Sequence, residues 1–272
     1  MLVLRKLLEI EAVSGEEDHV VDFLFPILEQ LTDRVWIDAY GNLLAEKHCG
    51  YSNATVLLSA HMDTAGPLKA NRRIKRDEDG IWYSDQGKLG ADDRAGIFVI
   101  LKLLETVDQT GFKGLVKVAL TRDGKNGFLG SAEMDSVWLL DVDLCLVLDQ
   151  KGKNDIVIAN SDCAFCADVV GDFIQQAAAK VGLSWQQVKG GCSDTVNFVM
   201  HGVNAVNLSV GYYHEDTDDE YLKEEEMLDT VRVLQATFNM LDQMEFPLVP
   251  DCNKVLASSI TCLCFLSLTP YT

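Results

Sequence analysis

Two short motifs carry side chains that can bind a metal ion. The first is His61-Met-Asp63, which ends an apolar run. A neutral imidazole binds divalent ions, and a nearby carboxylate can fix the orientation of its ring. The second is Asp92-Asp93, which precedes an apolar run. Each motif also has a simpler interpretation. A His-x-Asp can merely end a strand in water, and the N-terminus of any helix favours carboxylates.

Further polar residues follow predicted strands at Asp123, Asp149 and His214. Open α/β sheets form their sites outside the carboxyl ends of strands, so residues distant in sequence can converge there. Two imidazoles with two or three carboxylates are a ligand set that suits Zn²⁺, Mn²⁺ or Co²⁺. The sequence therefore predicts a metal site at one edge of a sheet. Ions held there would polarise a carbonyl and generate hydroxide.

Alternating strands and helices surround these motifs. Apolar runs predict strands at residues 56–63, 116–120, 144–148, 156–159 and 203–210, and helical periodicity predicts helices at 1–12, 14–31, 97–104, 173–181 and 224–244. A capping box at Ser14-Gly-Glu-Glu17 marks the predicted start of the second helix. Two hairpins are expected, one at residues 39–42 and one at Asp79-Gly80. The alternation predicts an α/β fold with a mixed, largely parallel central sheet flanked by helices on both faces.

The composition narrows the choice of partners and location. The chain of 272 residues has 42 acidic and 23 basic side chains and a formal net charge of −19, which argues against nucleic acid as a partner. Charges at Arg5 and Lys6 interrupt the apolar N-terminus before a signal peptide or a membrane span could form. The eight scattered cysteines are expected to be reduced. We therefore expect a cytoplasmic protein with no membrane partner.

The order of six motifs resembles that of the co-catalytic zinc exopeptidases, which include peptidase T-like and other aminopeptidases and related deacylases. The motifs are Leu58-Ser-Ala-His-Met-Asp-Thr, Gly90-Ala-Asp-Asp-Arg-Ala-Gly, residues 121–131, Leu148-Asp149, Gly190-Gly-Cys-Ser-Asp194, and Gly211-Tyr-Tyr-His214 with Glu220-Tyr. The resemblance implies a three-layer, zinc-exopeptidase-like sandwich. It also implies cleavage of a peptide or amide bond by metal-activated water, with a small peptide or an acylated amino acid as substrate.

The same resemblance implies a role for each matching residue. His61 and Asp149 would hold one ion and His214 the other. Asp92 would bridge both ions, and the peptide bond that follows it would be cis. Asp63 would orient His61 and so take part in catalysis. A histidine alone on a loop is usually just solvated, so the assignment of His214 depends on its order relative to the other motifs.

One motif departs from the family pattern. Family members carry two adjacent glutamates, a general base and a ligand of the second ion, where this chain has Gly124 and Lys125. Glycine offers no base, and an ammonium group would repel a second ion and could neutralise Asp92. Asp123 lies one residue before the position of the first glutamate, so its side chain is expected to point away from the metal site. The sequence therefore predicts one ion, Zn²⁺, Mn²⁺ or Co²⁺, rather than two, and impaired hydrolysis.

The spacing of the motifs leaves no room for the lid or the extra β domain of larger relatives. We expect a single catalytic-type domain over residues 1–245, followed by an apolar tail at 246–272 whose role the sequence does not decide. The alternative to a weakened hydrolase is a non-catalytic family member that binds a peptide, a metal or a partner protein. The apolar tail could also seal the interface of a homo-oligomer.

Overall fold

The computed structural model describes residues 1–241 and 244. These residues contain twelve strands and eight α-helices. The strands are β1 (Arg34–Ile37), β2 (Leu43–His48), β3 (Thr55–His61), β4 (Ile74–Arg76), β5 (Ile81–Ser84), β6 (Leu115–Thr121), β7 (Leu144–Gln150), β8 (Asp155–Ala159), β9 (Gln186–Lys189), β10 (Asn204–Ser209), β11 (Tyr212–Tyr213) and β12 (Tyr221–Lys223). The helices are α1 (Leu2–Glu9), α2 (Asp18–Leu31), α3 (Ala91–Leu104), α4 (Leu129–Ala132), α5 (Ser136–Leu139), α6 (Asp168–Lys180), α7 (Thr195–Met200) and α8 (Glu224–Met240).

Eight of the strands form the central sheet, in the order β1-β2-β6-β3-β7-β10-β8-β9. Strand β3 is parallel to both β6 and β7, and β7 is parallel to β10. Strands β2 and β8 pair antiparallel with their neighbours β6 and β10. The sheet is thus mixed, with a parallel centre whose strands all end at the same edge. Because strand β3 is buried along its whole length, it presents its last side chains inside the protein.

Helices cover both faces of this sheet, because alternate residues of the central strands point to opposite sides. Val56 and Leu58 belong to the larger apolar core, which also contains residues of α1, α2, α3, α6 and α8. Leu57 and Val147 belong to a second core on the other face, with Phe198 of α7. The predicted α/β architecture is therefore confirmed. No helix in the described part of the chain is long and apolar enough to cross a bilayer.

A separate four-stranded sheet, β11-β12-β5-β4, borders the central one. It contains the predicted hairpin at Asp79-Gly80, and the other predicted hairpin joins β1 to β2. The predicted capping box is wrong. Helix α2 begins only at Asp18, and the Ser14 hydroxyl donates instead to Asp63 Oδ2 at 2.6 Å. The predicted tail at 246–272 lies outside the described residues.

Candidate metal centre

His61 ends strand β3 and lies at the centre of a group of carboxylates. Its ring is almost completely buried, with 2% of the residue exposed. Nε2 lies 2.9 Å from Asp92 Oδ1 and 3.6 Å from Asp149 Oδ1, while Nδ1 lies 3.0 Å from Asp63 Oδ1. The strand ends of β3 and β7 and the start of α3 therefore bring together side chains from three distant parts of the sequence.

Asp63 is held rigidly behind the His61 ring. Its carboxylate accepts hydrogen bonds from the Ser14 hydroxyl and from the backbone N–H groups of Gly124 and Lys125, the latter two at 2.8 Å each. Burial alone would raise the pKa of Asp63, but the hydrogen bonds from His61, Ser14 and the backbone hold it well below its usual range. Asp63 is thus a fixed anion that orients the imidazole, in line with the role that the resemblance implies.

Asp92 and Asp93 occupy the start of helix α3, and the peptide bond between them is cis, as predicted. The buried carboxylate of Glu220 accepts hydrogen bonds from the N–H groups of Gly90, Ala91 and Asp92, and so fixes this turn. Asp93 Oδ2 accepts a hydrogen bond from the His61 N–H, and its Oδ1 accepts one from a later turn of the helix. Asp92 therefore contacts the His61 ring, whereas Asp93 accepts hydrogen bonds from the backbone of His61 and Gly96.

Lys125 reaches into the same group of carboxylates. Its Nζ lies 2.5 Å from Asp92 Oδ2 and 3.3 Å from Asp216 Oδ2, and only 21% of the side chain is exposed. Burial lowers the pKa of Lys125, but the charges of Asp92, Asp149 and Asp216 outweigh it and raise the pKa above its ordinary value. The Lys125 ammonium group therefore contacts one oxygen of Asp92, while His61 contacts the other.

Gly124 brings the backbone close to the same imidazole. A Cβ atom at this position would lie 2.5 Å from both Cβ and Cγ of His61 and 3.0 Å from Asp63 Oδ1. Such contacts are far inside van der Waals distance, so any larger residue would require His61 or this loop to move. The glycine is therefore matched to the observed position of His61, which explains in physical terms why no glutamate fits here.

His214 and Asp123 do not join the cluster. His214 follows β11, and the centroid of its ring lies 5.6 Å from that of Tyr221. Asp123 Oδ2 accepts a hydrogen bond from the Tyr40 hydroxyl at 2.8 Å, so this carboxylate points away from His61, as expected. Within residues 1–241 and 244, the ligand atoms that lie within 4.8 Å of one another are those of His61, Asp93 and Asp149.

Four residues around the cluster carry no role in the sequence-based interpretation. They are Ser14, Glu220, Tyr212 and Asn207. The Tyr212 hydroxyl donates to the backbone oxygen of Asp149 at 2.9 Å and to its Oδ1 at 3.2 Å. Asn207 Oδ1 accepts a hydrogen bond from the Asp149 N–H at 2.9 Å. Tyr212 and Glu220 lie within motifs that the resemblance includes, which is a usable signal. Ser14 and Asn207 give no local signal, because their roles depend on contacts across the fold.

Cationic groups of the chain itself face the carboxylates of the cluster. Burial lowers the pKa of His61, but the carboxylates of Asp149, Asp63 and Asp92 outweigh burial and hold this pKa well above the ordinary value, which favours the protonated ring. Burial, helped by the charge of Asp92, raises the pKa of Asp149 to about 7. With Lys125, two cationic groups thus face Asp63, Asp92 and Asp149.

The donor atoms of the cluster are of the kinds that a divalent ion accepts. Nε2 of His61 and the facing oxygens of Asp92 and Asp149 are the imidazole and carboxylate ligands that Zn²⁺, Mn²⁺ and Co²⁺ accept. On the other oxygen of Asp92 lies Lys125 Nζ, at 2.5 Å, and the ring of His214 lies against that of Tyr221. Within the described residues, the group whose ligand atoms all lie close enough together to hold a metal ion includes Asp93 rather than Asp92, beside His61 and Asp149.

The cluster opens into a cleft of about 720 Å³. Its lining includes His61, Asp92 and Asp149, which we call its floor, together with Phe128, the loop 190–192 and residues 215–216. This volume is in the range of pockets that hold small ligands, roughly 300–1,000 Å³.

Comparison with known proteins agrees with this architecture. The sequence profile of peptidase family M28 matches residues 42–238. A candidate (LysW)-lysine/(LysW)-ornithine hydrolase of Pyrobaculum aerophilum is 31% identical over 126 residues, which cover 46% of this chain and 34% of that protein. The match thus spans about a third of that curated relative.

Solved structures with the same fold include an aminopeptidase and a TET1 peptidase. Aminopeptidase PepT from Bacillus cereus has a TM-score of 0.78 and 17% identity, and the match covers 88% of this chain and 97% of that one. The Pyrococcus horikoshii TET1 peptidase, which can assemble into a tetrahedron or a large octahedral shell, has a TM-score of 0.65 and 16% identity, with coverages of 86% and 98%. At these identities the likeness establishes the fold.

Proposed function

Because the chain belongs to peptidase family M28, we propose that it is a hydrolase of the aminopeptidase or N-deacylase type that works with one metal ion and with impaired activity. His61, Asp92 and Asp149 are the proposed ligands of this ion, and Asp63 is the residue that orients His61. His214, which the sequence assigned to a second ion, has no part in this one-ion proposal. The observation that carries the proposal is the 2.5 Å contact between Lys125 Nζ and Asp92 Oδ2.

A divalent ion at this position would polarise a carbonyl and lower the pKa of a water molecule. The chain's own residues would supply the remaining parts of the reaction. The Asp63 carboxylate keeps Nδ1 of His61 protonated and Nε2 directed at the cleft. The Lys125 ammonium is close enough to the floor to stabilise negative charge that develops on a carbonyl oxygen.

A general base is missing from this arrangement. Gly124 has no side chain, and Asp123 is engaged by the Tyr40 hydroxyl. Loss of general-base assistance lowers a rate by roughly 10²–10⁴. We therefore expect slow cleavage of small peptides or acylated amino acids.

The alternative is a non-catalytic protein that uses the cleft to bind a peptide, a metal or a partner. The full neutralisation of Asp92 by Lys125 favours it, because the carboxylate is already satisfied without an ion.

Three further features belong to the proposal. The free thiols of Cys49, Cys145 and Cys166 suit a reducing compartment such as the cytoplasm. A homo-oligomer, as in the TET1 relative, is compatible with the fold. Residues 1–245 would form one catalytic-type domain, with 246–272 as an addition of unknown role.

Metal analysis tests the proposal directly. After dialysis against Zn²⁺, Mn²⁺ or Co²⁺, we expect about one ion per chain by elemental analysis, and none in the His61→Ala variant. Wild-type protein should cleave short peptides and N-acyl amino acids far below the typical enzyme turnover of about 10 s⁻¹. Two ions at full occupancy, binding that survives in His61→Ala, or ordinary turnover would each contradict it. Metal binding with no turnover at all would favour the non-catalytic alternative.

A further inference from the structure

Asn207 has one half of its amide group unused. The side chain lines the cleft, although only 5% of the residue is exposed. Its Oδ1 accepts the backbone N–H of Asp149 at 2.9 Å, and this bond fixes which end of the amide is the oxygen. In the part of the chain that the structure describes, Nδ2 bonds to no acceptor. Because Asn207 lines the cleft, this donor is accessible to a ligand there and can bond to an acceptor on it.

The glycine loop that follows β9 lies beside this donor. Asn207 pairs with Val157 in the central sheet. A Cβ atom at Gly190 would lie 2.6 Å from Val157 Cγ1, so the loop packs directly against the strand next to Asn207. A Cβ atom at Gly191 would meet nothing within 4 Å, so the loop leaves open space at that point. Asn207, Gly190 and Gly191 thus form one wall of the cleft beside Asp149.

Three lysines line the same cleft, together with the carboxylates of Asp92, Asp149, Glu215 and Asp216. Lys125, Lys151 and Lys189 all line it, in a chain whose formal net charge is −19. Lys125 is committed to Asp92 and Asp216, and Lys151 is bonded to Glu215 at 2.6 Å. Lys189, next to the glycine loop, has no carboxylate partner among the described residues. The amide donor and this ammonium group therefore both belong to the lining of the cleft, and strand β8 pairs with the strands that carry them.

We propose that Asn207 Nδ2 and Lys189 form a subsite for a carboxylate group of the ligand, beside the metal position. This inference rests on the proposed function in one respect, which is that the neighbouring site binds a metal ion. It adds the chemical class of the substrate. The ligand is a short peptide or N-acyl amino acid with an anionic group close to the amide bond. That group is either the terminal carboxylate or an acidic side chain, because both present the same two acceptor oxygens.

Binding of three small probes to metal-free protein tests the proposal. The probes are N-acetylalanine, with a terminal carboxylate, N-acetylglutamic acid α-amide, with only a side-chain carboxylate, and N-acetylalaninamide, with none. EDTA treatment ensures that a carboxylate cannot gain affinity by binding a metal. Titration calorimetry or NMR titration should show that at least one acid binds about tenfold tighter than the amide, as expected for hydrogen bonds to a charged group. The preferred acid identifies the source of the carboxylate.

Two variants in the cleft and one control variant elsewhere separate binding at the subsite from the general effect of changing the charge of the protein. Lys189→Met and Asn207→Asp should each remove most of the tenfold preference. Asp at position 207 retains an oxygen for the Asp149 N–H and replaces the donor with a negative charge. Lys180→Met, which removes a lysine on α6 that does not line this cleft, should leave the preference unchanged. Lys189 is exposed, so its variant is not expected to affect folding.

Each outcome has a defined meaning. Equal binding of both acids and the amide, absence of binding by all three probes up to about 10 mM, or a preference that persists in both cleft variants overturns the subsite. The metal analysis of His61→Ala is independent of these titrations. If no ion binds but an acid is preferred, the proposed function fails and the subsite stands. If one ion binds but acids and amide are equal, the subsite alone fails.

Discussion

Replacing Lys125 with methionine should convert the cleft from a site with its own internal cation into one that requires a metal. Lys125 Nζ lies 2.5 Å from Asp92 Oδ2, and the side chain is 21% exposed. Two unit charges 4 Å apart interact by about 4 kcal/mol at an effective dielectric of 20. An ion on the other oxygen of Asp92 carries two charges, so repulsion by the ammonium should weaken its binding by several kcal/mol.

Each 1.36 kcal/mol corresponds to about a factor of ten in an equilibrium constant. We therefore expect Lys125→Met to bind Zn²⁺ at least roughly 100-fold more tightly than wild type, measured by competition with a metal indicator. Without metal, the variant removes the ammonium partner of the buried Asp92 carboxylate and leaves it only the contact with His61. Breaking a buried ion pair in this way should cost about 3–5 kcal/mol of folding free energy. At about 2–4 °C per kcal/mol for a chain of this size, Tm should fall by roughly 6–20 °C and recover when Zn²⁺ is added.

Lys151→Met is the matched control, because Lys151 also lines the cleft but pairs with Glu215 rather than with a proposed ligand. It should change neither the zinc affinity nor the metal dependence of Tm. If Lys125→Met binds zinc no more tightly than wild type, the ammonium does not compete with the ion, and the one-ion interpretation is wrong.

Three other changes test neighbouring contacts. Gly124→Ala should cost about 1–3 kcal/mol in urea unfolding, because its Cβ would lie 2.5 Å from the His61 ring, whereas Gly191→Ala, with open space, should cost little. Asp63→Asn should weaken metal binding about 10–100-fold by equilibrium dialysis, since His61 loses the carboxylate that orients it. Burial raises the pKa of Glu220 from 4.5 to about 7, so the folded state binds this proton more tightly than the unfolded state does. The protonated Glu220 therefore contributes to the free energy of unfolding below pH 4.5, and this contribution is lost as the pH rises to 7. Glu220→Gln should remove roughly 3 kcal/mol of this pH dependence between pH 4.5 and 7.5, measured by urea unfolding.

The strands and helices that deliver the site were predictable because their signals are local. The apolar run before His61 and the alternation of elements specify a buried strand in an α/β sheet, and β3 confirms it. The convergence of His61 with Asp92 and Asp149 followed from the rule that parallel strands end at one edge. These predictions need only the period of the hydrophobic pattern and the order of the elements.

The supporting contacts were not predictable, because they join residues that are distant in sequence. Ser14 precedes a helix and has the local pattern of a cap, yet its hydroxyl lies 2.6 Å from Asp63 Oδ2. Asn207 sits in a buried strand where nothing in the sequence indicates that its amide holds Asp149. The position of His214 beside Tyr221 depends on the second sheet, whose strands β11 and β12 have only two and three residues. Such short strands give too little periodicity to be detected.

Gly124 and Lys125 are best understood as one structural change. The N–H groups of both residues donate to Asp63, which holds this loop against His61. At that distance only glycine fits beside the imidazole, and the next side chain is then placed so that its ammonium reaches Asp92. A glutamate at position 124 would push the loop away from Asp63, and the lysine would lose its position on Asp92. The absence of a base at Gly124 and the presence of a cation at Lys125 therefore depend on the same short loop. Substituting either residue alone would disturb the contacts of this loop with His61.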